Sequence, residues 1–178
     1  DHLIDKTRQF FKAIKLNQKH LNEDNIFIFG IKPNSASSQY GYFLTKKVSQ
    51  GLNKVVKFIE KPNEKNAKKI IKKNAYWNSG IFFAKKISII NNFRKYQKRI
   101  LNLCIDSVYK SKMSKDLCYL NKKSFKKIQD ISFDYAILEK SKNINGIKLN
   151  IPWSDLGSWK EISNIFLKNK SRYFKKNK

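Results

Sequence analysis

The apolar positions change period several times along the chain, and each change marks an element. From Asp5 to about Leu21, Phe10, Phe11, Ile14 and Leu21 recur at helical spacing and predict one amphipathic helix. Asn25 to Gly30 is a short apolar run that reads as a buried strand, followed by a Pro/Ser/Asn loop from Lys32 to Gln39. Two further strands are predicted, Tyr40 to Thr45 and Lys54 to Glu60, with a turn at Gln50-Gly51-Leu52-Asn53 between them. Pro62 ends the second, and Asn63 is placed to cap a lysine-rich helix reaching about Lys73. Trp77 to Ala84 has strand character, and Gly80 within it allows close backbone approach. Ile87 to about Lys127 reads as mostly helical. Ser132 to Lys140 predicts a helix capped by Ser132, and Asn143 to Asn150 a strand turning at Gly146. The string IPWSDLGSW then leads into a last helix carrying Ile162, Ile165, Phe166 and Leu167, before a basic tail over about 170–178.

Helices and strands alternate, so the fold class is α/β with a mixed sheet. At 178 residues the chain has the length of one domain, and no repeat or interdomain linker divides it. An apolar fraction of 40% and an aromatic fraction of 13% exclude a solvated polybasic tail. No stretch approaches the roughly 18–20 apolar residues of a spanning helix, and DHLIDKT does not read as a signal peptide, so the cytosol is the default.

The charge changes the picture more. Lys and Arg number 39 against 13 Asp and Glu, a net +26, which invites a nucleic-acid reading. Only Arg8, Arg94, Arg99 and Arg172 are arginine, however, and phosphate-gripping surfaces favour its planar fork. Lys, Asn and Ile, all encoded by A/T-rich codons, make up 76 of the 178 residues. The charge is therefore read as biased coding. Cys104 and Cys118 have no second pair to form a metal knuckle and are expected to be buried free thiols. His2 and His20 are the only histidines, and neither lies near a nucleophile motif.

Candidate chemistry collects in YGY (Tyr40 to Tyr42), EKP (Glu60 to Pro62), WNSG (Trp77 to Gly80) and WSDLGSW (Trp153 to Trp159). In open α/β sheets ligands sit beyond strand ends. Glu60 and Lys61 end one strand, Asp155 follows another, and Asp1 precedes a helix as a strand-end residue would. Acidic residues on separate strand ends with a lysine between them suit a divalent cation and a phosphate. Taken singly, Glu60-Lys61 is also a surface charge pair, Asp155 a turn cap and Asn78 a turn former.

In this order and spacing, FGIKP, YGY, FIEKP, YWNSGIFF, SFDYAILEKS and WSDLGSW resemble the mannose-1-phosphate guanylyltransferases, from Asp1 to roughly Phe166. The resemblance implies a Rossmann-like nucleotidyltransferase fold with a mixed, mainly parallel sheet, incomplete at the N-terminus. It implies that GTP and α-mannose 1-phosphate give GDP-mannose and pyrophosphate with Mg²⁺ as cofactor. Carried over by position, Asp1 and Asp155 would hold Mg²⁺ and Lys61 would neutralise the sugar phosphate. Glu60 and Asn78 would bind sugar hydroxyls, with Gly41 letting the backbone approach the ring. Tyr40, Ser79, Gly80 and Asp134 complete the substrate-binding set, and Glu139 supports it.

The sequence departs from the family's pattern at Asn34, Ala36 and Gln39 in the loop before YGY, and at Asn63 after EKP. The family's glycine-rich nucleotide loop is not among the 178 residues, so the chain is expected to be the sugar-phosphate half and inactive with GTP alone. The expected partners are GTP and mannose 1-phosphate, with a homo-oligomer compatible and neither nucleic acid nor membrane involved. The alternatives are a nucleotidyltransferase for another hexose 1-phosphate or, from a different class, a lysine-rich nucleic-acid-binding module. The second requires a contiguous basic face; scattered lysines around one converging polar cleft favour the enzyme.

Overall fold

The computed structural model describes residues 2–49, 51–159, 162–163 and 166–167. A short strand β1 (Leu3–Ile4) leads into helix α1 (Thr7–Gln18), then strands β2 (Ile26–Ile31), β3 (Tyr42–Ser49) and β4 (Leu52–Ile59). Helix α2 (Glu64–Ile71) precedes β5 (Tyr76–Ala84), and helices α3 (Lys86–Tyr96) and α4 (Lys98–Tyr109) follow. A small hairpin of β6 (Lys112–Ser114) and β7 (Leu117–Tyr119), the single-turn α5 (Lys122–Phe125) and a π-helical turn (Asp134–Leu138) lead to β8 (Ile144–Leu149) and β9 (Trp153–Ser154).

Local chemistry accounts for most of these elements. The apolar residues of α1 divide between two faces: Phe10, Ile14 and nearby Leu21 pack against the core, whereas Phe11 is exposed because it lies about 100° round the axis from Phe10. Asn63 caps α2, its side chain accepting the Asn66 N–H at 2.9 Å. Gly51, at φ 82°, supplies the left-handed residue of the tight β3–β4 turn.

Five strands close into a barrel in the order β2-β5-β3-β4-β8. The mixed α/β sheet expected from the alternation is present, but the parallel part is one ladder, β2–β8, running from Ile26↔Ile144 to Ile31↔Leu149. The ladders β2–β5, β3–β4, β3–β5 and β4–β8 are antiparallel. The connections explain the balance. A hairpin turn forces β3 and β4 antiparallel, while β2 and β8 have the whole stretch 32–143 as the long crossover that parallel strands require.

Phe43 occupies the barrel interior and is 1% exposed. A Cβ on Gly146 would meet its ring at 2.7 Å and the Thr45 methyl at 2.8 Å, and a Cβ on Gly30 would also run into that ring. Gly146, expected as a turn, is therefore a strand residue kept small by packing. The segment 87–127 is less helical than its composition suggests, because Lys115 at φ 51° turns the chain between β6 and β7. Ser132 does cap the next segment, accepting the Tyr135 N–H at 3.3 Å, but the turn it opens is π-helical. Cys104 and Cys118 are free, as expected, yet exposed, since they face outward on α4 and β7. Trp159, Ile162, Phe166 and Leu167 are helical; Ile165 and the basic tail lie outside the described residues.

Candidate functional site

Three strand ends meet on one side of the barrel. Gly41 immediately precedes β3, Glu60 immediately follows β4, and Asn78 lies within β5. The Asn78 N–H donates to the Gly41 carbonyl at 2.7 Å. A Cβ on Gly41 would collide with the Glu60 carboxylate and come within 3.2 Å of the Phe58 ring and 3.4 Å of Asn78 Cβ. Gly41, Glu60 and Asn78 thus form one wall, with glycine required where backbone meets carboxylate.

The π-helical turn packs against that wall. Asn78 Nδ2 donates to Asp134 Oδ1 at 2.8 Å, and the Glu60 backbone N–H donates to Glu139 Oε1 at 3.0 Å. Lys61 Nζ stands 4.0 Å from Glu60 Oε1; the Glu60 side chain is 8% exposed and that of Lys61 59%. Lys61 also adopts φ 43°, a left-handed conformation uncommon for a non-glycine residue.

Crowded carboxyls and burial set the electrostatics. Burial pushes the Glu60 carboxyl up to about 7; the charges of Asp134 and Glu139 add to the rise and Lys61 opposes it. Asp134 is also raised, mainly by burial, against the pull of its own backbone N–H, Lys61 and the Asn78 amide. Near neutrality Glu60 is therefore poised between donor and acceptor, which suits the hydroxyls of a sugar.

A second group adjoins this wall through Tyr40. The β1–β9 ladder pairs Leu3 with Ser154 and Ile4 with Trp153, placing the start of the described chain beside the WSD segment. The Tyr40 hydroxyl donates to Asp155 Oδ1 at 3.2 Å, and the Gly157 N–H reaches the same oxygen at 3.2 Å. Tyr40 packs on Trp77 at 4.9 Å and Trp153 at 5.5 Å between ring centroids, and Trp153 Nε1 donates to His2 Nδ1 at 3.1 Å. This aromatic support was not foreseen in the sequence, where the tryptophans read only as parts of motifs.

Of the expected site residues, Tyr40, Gly41, Glu60, Lys61, Asn78, Asp134, Glu139 and Asp155 are linked in these two adjoining groups. Gly80, at φ 76°, lines a crevice of about 50 Å³ with Asn78 and Asp134. Ser79 is buried instead, its hydroxyl accepting the Ile81 N–H at 3.3 Å. Asp1 lies outside the described residues. Asp155 fits a hard cation: two donors from Tyr40 and Gly157 orient Oδ1, and its carboxylate has a second oxygen to offer. No cluster of three metal-ligating side chains occurs among the described residues.

Comparison with known proteins gives this arrangement a family. The nucleotidyl transferase family model matches residues 1–172. The chain is 35% identical over 180 residues to mannose-1-phosphate guanylyltransferase 2 of Escherichia coli O157:H7, covering 96% of this chain and 37% of that protein. It is 30% identical to the mannose-1-phosphate guanylyltransferase of Klebsiella pneumoniae, over 91% of this chain and 36% of that one. The chain thus spans well under half the length of these relatives. Its fold matches a crystal structure described as mannose-1-phosphate geranyltransferase from Thermus thermophilus, with a TM-score of 0.80 at 20% identity, over 93% of this chain and 47% of that one. It also matches mannose-6-phosphate isomerase from Helicobacter pylori, with a TM-score of 0.77 at 28% identity, over 87% and 62%. The Rossmann-like α/β fold expected from the motifs is the fold of these structures, and the chain belongs to the nucleotidyl transferase family.

Proposed function

We propose that the chain supplies the sugar-phosphate side of a mannose-1-phosphate guanylyltransferase, which converts GTP and α-mannose 1-phosphate into GDP-mannose and pyrophosphate. The observation that carries the reading is the meeting of Gly41, Glu60, Asn78 and Lys61 at three strand ends, backed by Asp134 and Glu139. Two hydroxyl-reading groups beside one exposed ammonium match a phosphorylated sugar. The lysines favour an enzyme over a nucleic-acid module: every lysine among the described residues is exposed, and they occur on all five α-helices.

In the reaction, an oxygen of the sugar phosphate attacks the α-phosphorus of GTP, and pyrophosphate leaves in line. The work of the residues is positioning and charge neutralisation. Glu60 and Asn78 hold the ring through its hydroxyls, and the missing Cβ of Gly41 leaves room for the Glu60 carboxylate that does so. Lys61 neutralises the attacking phosphate. Asp155, held by Tyr40 and Gly157, and Asp1 would be the carboxylates that hold Mg²⁺, which would supply charge neutralisation to the reaction.

The test is calorimetric titration of the chain with mannose 1-phosphate and glucose 1-phosphate. Tighter binding of the mannose ester is expected, and Asn78→Ala should weaken it about tenfold, a loss matching one or two hydrogen bonds to a polar ligand. Equal affinity for the two esters, untouched by Asn78→Ala, rejects the reading.

A further inference from the structure

Glu60 stands one residue beyond the last β3–β4 pair, Tyr42↔Ile59, so its N–H falls outside the ladder. The acceptor it finds is a side chain 79 positions away, Glu139 Oε1 at 3.0 Å. The next residue, Lys61, is left-handed at φ 43° and is followed by the buried Pro62. A residue before proline prefers extended backbone, and a left-handed non-glycine residue is strained and persists only where its surroundings hold it.

The π-helical turn explains how one segment reaches two places. In an α-helix, residues five apart diverge by roughly 140°, so Asp134 and Glu139 would face different sides. Here the ring is closed from the Glu139 N–H to the Asp134 carbonyl at 3.0 Å, a five-residue step. Asp134 engages the Asn78 amide while Glu139 engages the Glu60 backbone.

We propose that Glu139 is a positioning residue for Lys61: the π-helical turn aims its carboxylate at the Glu60 N–H, and that bond holds Lys61 left-handed with its ammonium toward the phosphate of the substrate. The proposal rests on the sugar-phosphate reading of the site. Glu139 touches no substrate in it. Its effect passes through the backbone of Glu60 and Lys61, so it governs recognition of the phosphate and not of the sugar ring.

Two measurements on the chain and its Glu139→Ala and Glu139→Gln variants test this. Amide hydrogen exchange by NMR reads the Glu60 N–H without any ligand. Calorimetry reads the ratio of affinities for mannose 1-phosphate over mannose. Glu60 is expected to be protected in the wild type, unprotected in Glu139→Ala and largely protected in Glu139→Gln, whose amide oxygen accepts the same bond. The affinity ratio should fall about tenfold in the alanine variant, the worth of one charge-assisted bond, and recover in the glutamine variant. A merely structural role would weaken both ligands alike and leave the ratio unchanged, which overturns the proposal. An unprotected Glu60 amide in the wild type overturns it too. A wild type that holds the Glu60 amide protected yet binds both ligands equally overturns the sugar-phosphate reading, and the positioning role with it.

Discussion

Glu60 shows how a residue's chemistry is set by what surrounds it. Its side chain is nearly covered, two other carboxyls stand close by, and the cation beside it is largely in solvent. Its carboxyl titrates near 7 when folded and near 4.5 when unfolded. A raised carboxyl favours the folded state while both forms are protonated, and that contribution is lost as pH rises from 4.5 through 7. Urea unfolding is therefore expected to show wild-type stability declining across about pH 4.5–7.5 relative to Glu60→Gln. Parallel pH profiles for the two proteins would show that the carboxyl is not raised. EKP made Glu60 a candidate in the sequence. Its proton affinity was not legible there, because its main cause is burial in the fold, and the carboxyls that add to it, Asp134 and Glu139, lie more than seventy positions away.

At the scale of elements, the legible parts are those that local chemistry decides. Asn63 before a lysine-rich helical run, Gly51 in a tight turn and the apolar run of β2 each carry their own signal, and each forms as expected. Gly146 does not, because turn glycines and packing glycines look alike in one dimension. What distinguishes it is the Phe43 ring above it, about one hundred positions earlier. The π-helical turn is likewise hidden: DYAIL has ordinary helical composition, and only the bonds of Asp134 and Glu139 to other elements reveal the extra residue in the turn. Adding one methyl group at Gly146 should overpack the barrel. Gly146→Ala is expected to lower stability by roughly 1–3 kcal/mol, seen as a lower urea midpoint at an unchanged slope. Asn63→Ala, which removes only a cap, should lower it by about 1 kcal/mol.

The whole molecule carries +26 charges, and the described residues form three ion pairs, Lys61–Glu60, Lys68–Glu64 and Lys110–Asp106. Such an excess repels itself, and added salt screens the repulsion. Melting temperature is therefore expected to rise between about 10 mM and 300 mM sodium chloride, and a flat or falling trend would mean that the lysines are neutralised some other way. The exposed lysines have a further consequence for recognition. A molecule this positive draws every anion toward it, so charge works here as attraction without an address. Anions of every kind are gathered alike, and under the proposed function the ammonium groups on all five α-helices would compete with Lys61 to receive them. Under the proposed function, discrimination then has to come from hydrogen-bond geometry, through the orientation of the Asn78 amide and of the Glu60 carboxyl that Gly41 makes room for. In a chain so rich in lysine, selectivity falls to the groups that lysine did not replace.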